Sequence, residues 1–201
     1  MTRLAICALI AQVGCAKPVS QAPPNLPPAH VVEGVSAKVK RQFYDIDGRS
    51  RSGLRASLDQ RGPFDEQGQR FDAKTRWTVK WAYNYDRTTI DCGISGLTTN
   101  VEVTYTLPRW VTAQTARPRL RQAWVRYLNA LTLHEQGHAH YGLQTANAIQ
   151  TVLVGLRAPT CAELERQADA AAERILEHMN DEEKTYDQAT QHGRTQGGRF
   201  G

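Results

Sequence analysis

The chain has 201 residues, with 25 lysines and arginines against 20 aspartates and glutamates, a formal charge of +5, and a hydrophobic fraction of 40%. These values suit one domain of ordinary size with an appendage, and they exclude collagen-like and wholly disordered chains. Basic residues form only short clusters such as Arg117, Arg119 and Arg121, never a block of roughly five or six like charges, so no nucleic-acid partner is expected.

In chain order the first feature is an export signal. Met1 to Arg3 supplies one positive charge, Leu4 to Gly14 a short apolar core, and Gly14 and Ala16 the small residues of a cleavage site. The apolar run is too short for a bilayer span, which takes roughly 20 residues, and it has the layout of a secretory signal peptide. Two processing chemistries compete: cleavage after Ala16, or lipid attachment at Cys15 in Gln12-Val13-Gly14-Cys15, although a lipoprotein signal normally has Leu where Gln12 stands. The domains therefore read as a signal peptide over 1–16, a flexible proline-rich tether over 17–34 and a single folded domain over 35–198. Either cut removes Cys7 and removes or modifies Cys15, leaving Cys92 and Cys161. In an exported chain that pair predicts one disulfide.

The mature chain divides into a sheet-forming half and a helical half. Val35 to Asp45 reads as a strand leading to a short helix at Gly53 to Gln60, followed by a loop over Gly62 to Gly68. From Trp77 the alternation is regular: Trp77, Val79, Trp81, Tyr83 and Tyr85 face one way, Thr78, Lys80, Ala82 and Asn84 the other, as a half-buried strand requires. A second alternation, Val101, Val103, Tyr105 and Leu107, stops at Pro108 and predicts an antiparallel partner. From Pro118 the apolar period lengthens to three and four through Leu120, Trp124, Leu128, Leu131, His138, Ile149 and Leu156, predicting a long amphipathic helix or two in tandem. Ala158-Pro159 ends it. Thr160-Cys161-Ala162-Glu163 then has the form of a capping box opening a last helix, and the final ten residues read as an irregular tail. The fold class expected is α+β, a small antiparallel sheet packed against a long helical hairpin.

The chemistry sits in His134-Glu135-Gln136-Gly137-His138. On a helix, His134 and His138 lie one turn apart on one face and can share a tetrahedral zinc ion. Glu135 points about 100° away, where it can act as general base toward a water held by the metal. Gly137 costs roughly 1 kcal/mol against Ala in mid-helix, which suggests a close approach by another group. His140 is about 200° around the helix from His138 and cannot join the site.

A third ligand must come from elsewhere. Glu165 with Asp169 is similar to the third-ligand motif of many zinc peptidases of the glutamate-zincin type. An unbroken helix from His138 to Arg157, however, travels about 28 Å, and a returning helix would leave Glu165 on the order of 20 Å short of His138. Residues from Asn180 to Asp187 would lie opposite it. His192, shortly beyond, is the preferred third ligand, with Asp187 as an alternative ligand or supporting carboxylate. A break at Gly142 would restore Glu165.

The order and spacing of several short pieces resemble the bacterial family catalogued as domain of unknown function 922, whose members are described as predicted secreted zinc-dependent proteases. The pieces are Arg70-Phe71-Asp72 through Thr75-Arg76-Trp77, Leu107-Pro108-Arg109-Trp110, the His134 to His138 pentad, Cys92 and Cys161, and Tyr186-Asp187 followed by Thr190, His192-Gly193 and Thr195-Gln196-Gly197. The resemblance implies export, a metal site and a peptidase-like fold, and it places the segment around His192 inside the family pattern.

The expected function is thus an exported zinc-dependent hydrolase acting on peptides or proteins, with Zn2+ held by His134, His138 and His192 and Glu135 as general base. The chain would reside in the periplasm or cell envelope, or be secreted, touching a membrane only through a lipid at Cys15. The alternative is a non-catalytic envelope protein with a structural metal site, which has no need of Glu135.

Overall fold

Threonine, branched and aromatic residues recur at alternate positions of the segments that build the sheet. The computed structural model describes residues 31–65 and 67–201; the expected signal peptide, with Cys15, and most of the expected tether lie outside the described residues. In chain order the elements are β1 (Val35–Ile46), α1 (Arg51–Arg61), β2 (Lys74–Arg87), β3 (Cys92–Trp110), α2 (Pro118–Leu153), the two-residue β4 (Arg157–Ala158) and α3 (Cys161–Thr190). Short 3-10 turns follow β3 at Ala113–Thr115 and α3 at Arg194–Gln196. Among the described residues this is a mixed α and β fold with a small sheet and three helices. No helix among the described residues is long and apolar enough to cross a membrane.

The strand order is β1-β3-β2, with β4 pairing the start of β3. β2 and β3 are antiparallel, but β1 runs parallel to β3, from Val35 opposite Thr99 to Ile46 opposite Trp110. The expectation of a purely antiparallel sheet is therefore corrected. A parallel neighbour needs a long connection, and α1, the following loop and β2 supply it. β3 is also longer than its apolar alternation, because Gly93, Ser95, Gly96 and Thr98 hide its first half from a pattern reading. Pro108 does not end it. Pairing with β2 stops at Lys74 opposite Thr106, so Pro108 lies where one side of β3 carries no ladder and a missing N–H is tolerated.

Helix ends follow local chemistry. Ser50 caps α1 by accepting from the Gly53 amide at 3.1 Å, and Thr160 caps α3 by accepting from the Glu163 amide at 3.2 Å. Only half of the predicted capping box forms, since Glu163 turns to Arg166 and Gln167 instead. α2 begins with Pro118 at its first position, where no amide hydrogen is required. It continues unbroken through Gly142, whose missing side chain seats the Trp77 ring: a Cβ there would lie 2.7 Å from Trp77 Cγ.

Two apolar clusters hold these layers together. One joins Leu54, Leu58, Val101, Val103, Trp110, Trp124 and Leu131 across α1, β3 and α2. The other joins Ile149 and Leu153 of α2 to Leu164, Ala168 and Ala172 of α3. Phe200 is buried against Trp124 and Tyr127, so the final segment is packed rather than the irregular tail that its glycine and arginine content suggested. Within the second cluster Cys92 and Cys161 form a disulfide across a sequence separation of 69. Closing a loop of that length stabilises a chain by about 4 kcal/mol on chain-entropy grounds. Non-reducing peptide mapping of exported protein is expected to recover Cys92 linked to Cys161. Replacing both with alanine should lower the denaturant-unfolding free energy by an amount of that order, and two free thiols would contradict the pairing.

Candidate metal centre

Close to the middle of α2, the one-turn spacing turns His134 and His138 to the same side, with their Nε2 atoms 3.2 Å apart. α3 returns alongside, and from it Asp187 places Oδ1 3.2 Å from each of those two nitrogens. Three donor atoms thus form a triangle of equal edges. Among the described residues these side chains make a group close enough to share one metal ion. Asp187 Oδ1 is buried and has no well-directed hydrogen bond among the described residues.

The outer nitrogen of each ring is held by a residue that the sequence reading did not single out for the site. Glu183 Oε1 lies 2.8 Å from His138 Nδ1; a carboxylate only accepts, so the proton sits on that nitrogen. Gln196 Oε1 stands 3.1 Å from His134 Nδ1. Such partners fix ring orientation and direct Nε2 toward the shared position. Tyr186 stacks on His134 with an interplanar angle of 13° and donates its hydroxyl to the His134 carbonyl at 3.1 Å. This is the close approach implied by Gly137, where a Cβ would overlap the Tyr186 hydroxyl and ring. The signal for Glu183 is its position one helical turn before Asp187 on the same face. For Gln196 the only signal was its place in the Thr195-Gln196-Gly197 piece.

The chain reverses after α3 through three consecutive left-handed residues, Gln191, His192 and Gly193, with φ of 49°, 52° and 78°. Gly193 packs against His134, where a Cβ would come within 2.8 Å of Cγ. The reversal carries Gln196 back to the rings. It also carries His192 away from the triangle: its Nδ1 is 3.4 Å from Asp187 Oδ2, and its ring rests against Phe71 at 5.4 Å. Asp187, the alternative of the sequence reading, therefore occupies the position expected for His192, and His192 supports Asp187 instead. Glu165 and Asp169 lie toward Tyr83, whose phenol they help to hold neutral after burial, and do not join the triangle. His140 contacts Tyr141 and stays outside.

Glu135 is buried beside the rings, 4% exposed. The Thr75 hydroxyl lies 2.6 Å from its Oε2 and 3.1 Å from its carbonyl oxygen, so β2 positions the carboxylate. Burial pushes the Glu135 carboxyl up, partly offset by His138 and Thr75. Burial opposes the charged form of His138, yet Asp187 and Glu183 outweigh it and raise that imidazole to about 10. For Asp187 burial acts upward, and the neighbouring His134 and His138 rings overcome it, holding the carboxyl well below its ordinary range. The two carboxylates thus favour a positive charge on His138, and a metal ion at the triangle would take the place of the second proton, the one on Nε2, leaving Nδ1–H on Glu183.

The Gly137 contact yields a test in which two effects oppose. Alanine gains roughly 1 kcal/mol of helix propensity, whereas overpacking against a stacked tyrosine costs about 1–3 kcal/mol. Gly137→Ala is expected to be net destabilising in denaturant unfolding, and the penalty should vanish in a Tyr186→Ala background. A stabilised single variant would contradict the packing.

Neither a curated protein nor a solved structure matches the chain. A family description does: Bacterial protein of unknown function (DUF922), over residues 41–193. That span includes β2, β3, the His134 to His138 pentad and Asp187, and the chain belongs to the DUF922 family.

Proposed function

We propose that the chain is an exported zinc-dependent hydrolase that cleaves peptide bonds, with His134, His138 and Asp187 holding the metal and Glu135 acting as general base. The observation that carries this reading is the triangle of donor atoms with 3.2 Å edges. A tetrahedron with metal–ligand bonds of about 2.0–2.1 Å has edges of roughly 3.3 Å, so the donor set fits zinc in both chemistry and size. Asp187 Oδ1, buried without a directed partner, fits the same ion.

Zinc, when bound, supplies Lewis-acid chemistry, polarising a carbonyl and lowering the pKa of water toward about 7. The protein's own groups divide the remaining work. Glu135, oriented by Thr75, accepts the proton of the attacking water and returns it to the leaving amine. Its raised pKa brings it closer to the range where a carboxylate can both take and give a proton. Glu183 and Gln196 keep the imidazoles in place through Nδ1. The substrate lies in a cleft of about 1150 Å³ that includes His134, Glu135, His138 and Asp187 in its wall. Among the described residues β2 pairs with β3 alone, and at Lys74 and Thr75 it also lines the cleft, so its other edge is available to an extended peptide by strand addition.

Export is supported by the signal-like first sixteen residues and by the Cys92–Cys161 disulfide, which persists in oxidising compartments. The test combines metal analysis with turnover. Protein purified without chelator should carry about one zinc per chain, and His134→Ala with His138→Ala should abolish it. Glu135→Gln should retain zinc and fold while losing cleavage of unfolded proteins or peptide libraries, because the amide cannot accept a proton. Metal-free wild type contradicts the site. Cleavage by neither protein, or equally by both, favours the non-catalytic envelope protein.

A further inference from the structure

Each carboxylate of the cleft lies against a donor group, whereas four of its cations meet no carboxylate among the described residues. Asp72 is held by Arg55 and by the Tyr127 hydroxyl, Glu183 by His138 and Trp77, Glu135 by Thr75 and Asp187 by the two rings. Asp65 accepts from the Gln69 amide. On the other side of the balance, Lys74 donates to the Phe64 carbonyl at 2.9 Å and meets no carboxylate among the described residues. Arg70 meets the Gly62 carbonyl at 2.6 Å and the face of Phe64 at 3.9 Å. Arg194 and Arg199 are exposed and have no carboxylate partner among the described residues. Neutral partners leave a charge of either sign uncompensated, and of the cleft's carboxylates only Asp72 meets a fixed cation, Arg55; the four outer cations still line this one cleft together and set a positive local potential beside it.

We propose that this cleft selects peptides carrying aspartate or glutamate close to the bond presented to Glu135, an inference that rests on the peptidase reading for its place at the metal centre. The four cations come from two separate stretches, Arg70 to Lys74 leading into β2 and Arg194 to Arg199 after α3. Acidic side chains on a single bound segment can therefore be met from either stretch. A polypeptide is favoured over other polyanions by the edge of β2 that pairs with no strand among the described residues, since β2 lines the cleft at Lys74 and Thr75 and such an edge takes an extended chain. The backbone of such a substrate is neutral, so charge discrimination falls on its side chains.

The experiment uses the full mature chain bearing Glu135→Gln, supplemented with zinc, and equal-length fluorescent peptides in acidic, amide and basic versions. Anisotropy should show the acidic version bound about ten-fold tighter than its asparagine and glutamine counterpart, with the advantage shrinking as salt rises. Arg194→Glu combined with Arg199→Glu should remove the advantage, and Lys74→Glu should reduce it independently, with thermal melts checking that each variant folds. Equal binding of acidic and amide peptides, or a preference unchanged in both variants, overturns the proposal. Heparin or an oligonucleotide that binds tighter and displaces the peptide overturns it too. An acidic preference in binding, with no cleavage of those peptides by wild type, defeats the peptidase reading and leaves charge selection standing. Cleavage of acidic and amide peptides at equal kcat/KM does the reverse.

Discussion

The close contact of α3 with α2 at Gly137 is the constraint on which the centre depends. Only a residue without a side chain lets Tyr186 lie against α2, stacked on His134 and bonded to its carbonyl. Once Tyr186 is seated, the helical repeat fixes the rest. Asp187, its neighbour, falls between the two imidazoles, and Glu183, one turn earlier, reaches the back of His138. The left-handed reversal after Gln191 then returns Gln196 to His134. A shift of one residue along either helix would move a side chain by about 1.5 Å and 100°, enough to dismantle the triangle.

The sheet acts on the same centre from the other side. Thr75 orients Glu135, and the Trp77 indole donates to Glu183 at 3.1 Å, so β2 touches both the proposed base and the support of the His138 ring. Trp77 in turn sits in the gap left by Gly142. Two mid-helix glycines in α2, each unfavourable for helix propensity, are thus explained by two aromatic side chains that lock neighbouring elements against it. Buried polar groups cost several kcal/mol unless they are partnered, and here almost every one is. Arg121 Nε, Trp124 Nε1 and Asp187 Oδ1 are exceptions among the described residues, and of these Asp187 Oδ1 faces the vertex that the two imidazoles also face.

Much of this was legible in the residues. The period change at Pro118, the one-turn histidine spacing, the last helix opening at Thr160 and the pairing of the two remaining cysteines all depend on local sequence, and local sequence records them. The distance argument against Glu165 also held, because an unbroken helix has a fixed rise per residue and α2 is unbroken through Gly142. What escaped was set by tertiary geometry. The parallel placement of β1 follows from connection path rather than pattern. His192 looked like a ligand because histidine is a common one, yet two left-handed residues ahead of Gly193 swing it toward Phe71 and leave Asp187 at the vertex. Glu183 and Gln196 carry no distinctive spelling, and their roles emerge only when α3 lies along α2. The pieces that carried the family resemblance prove to be convergent in space: Phe71 meets His192, Thr75 meets Glu135, Trp77 meets Glu183, and Tyr186, Asp187, Gly193 and Gln196 surround His134.

The most direct measurement is a zinc-affinity comparison by chelator competition between Asp187→Ala and His192→Ala, each checked for folding by its thermal melt. Removing a donor from a three-residue set is expected to weaken binding by well over a hundred-fold, whereas removing a supporting side chain weakens it by about ten- to a hundred-fold at most. The account predicts the larger loss for Asp187→Ala. A larger loss for His192→Ala, with Asp187→Ala close to wild type, would contradict it and return the third position to the histidine.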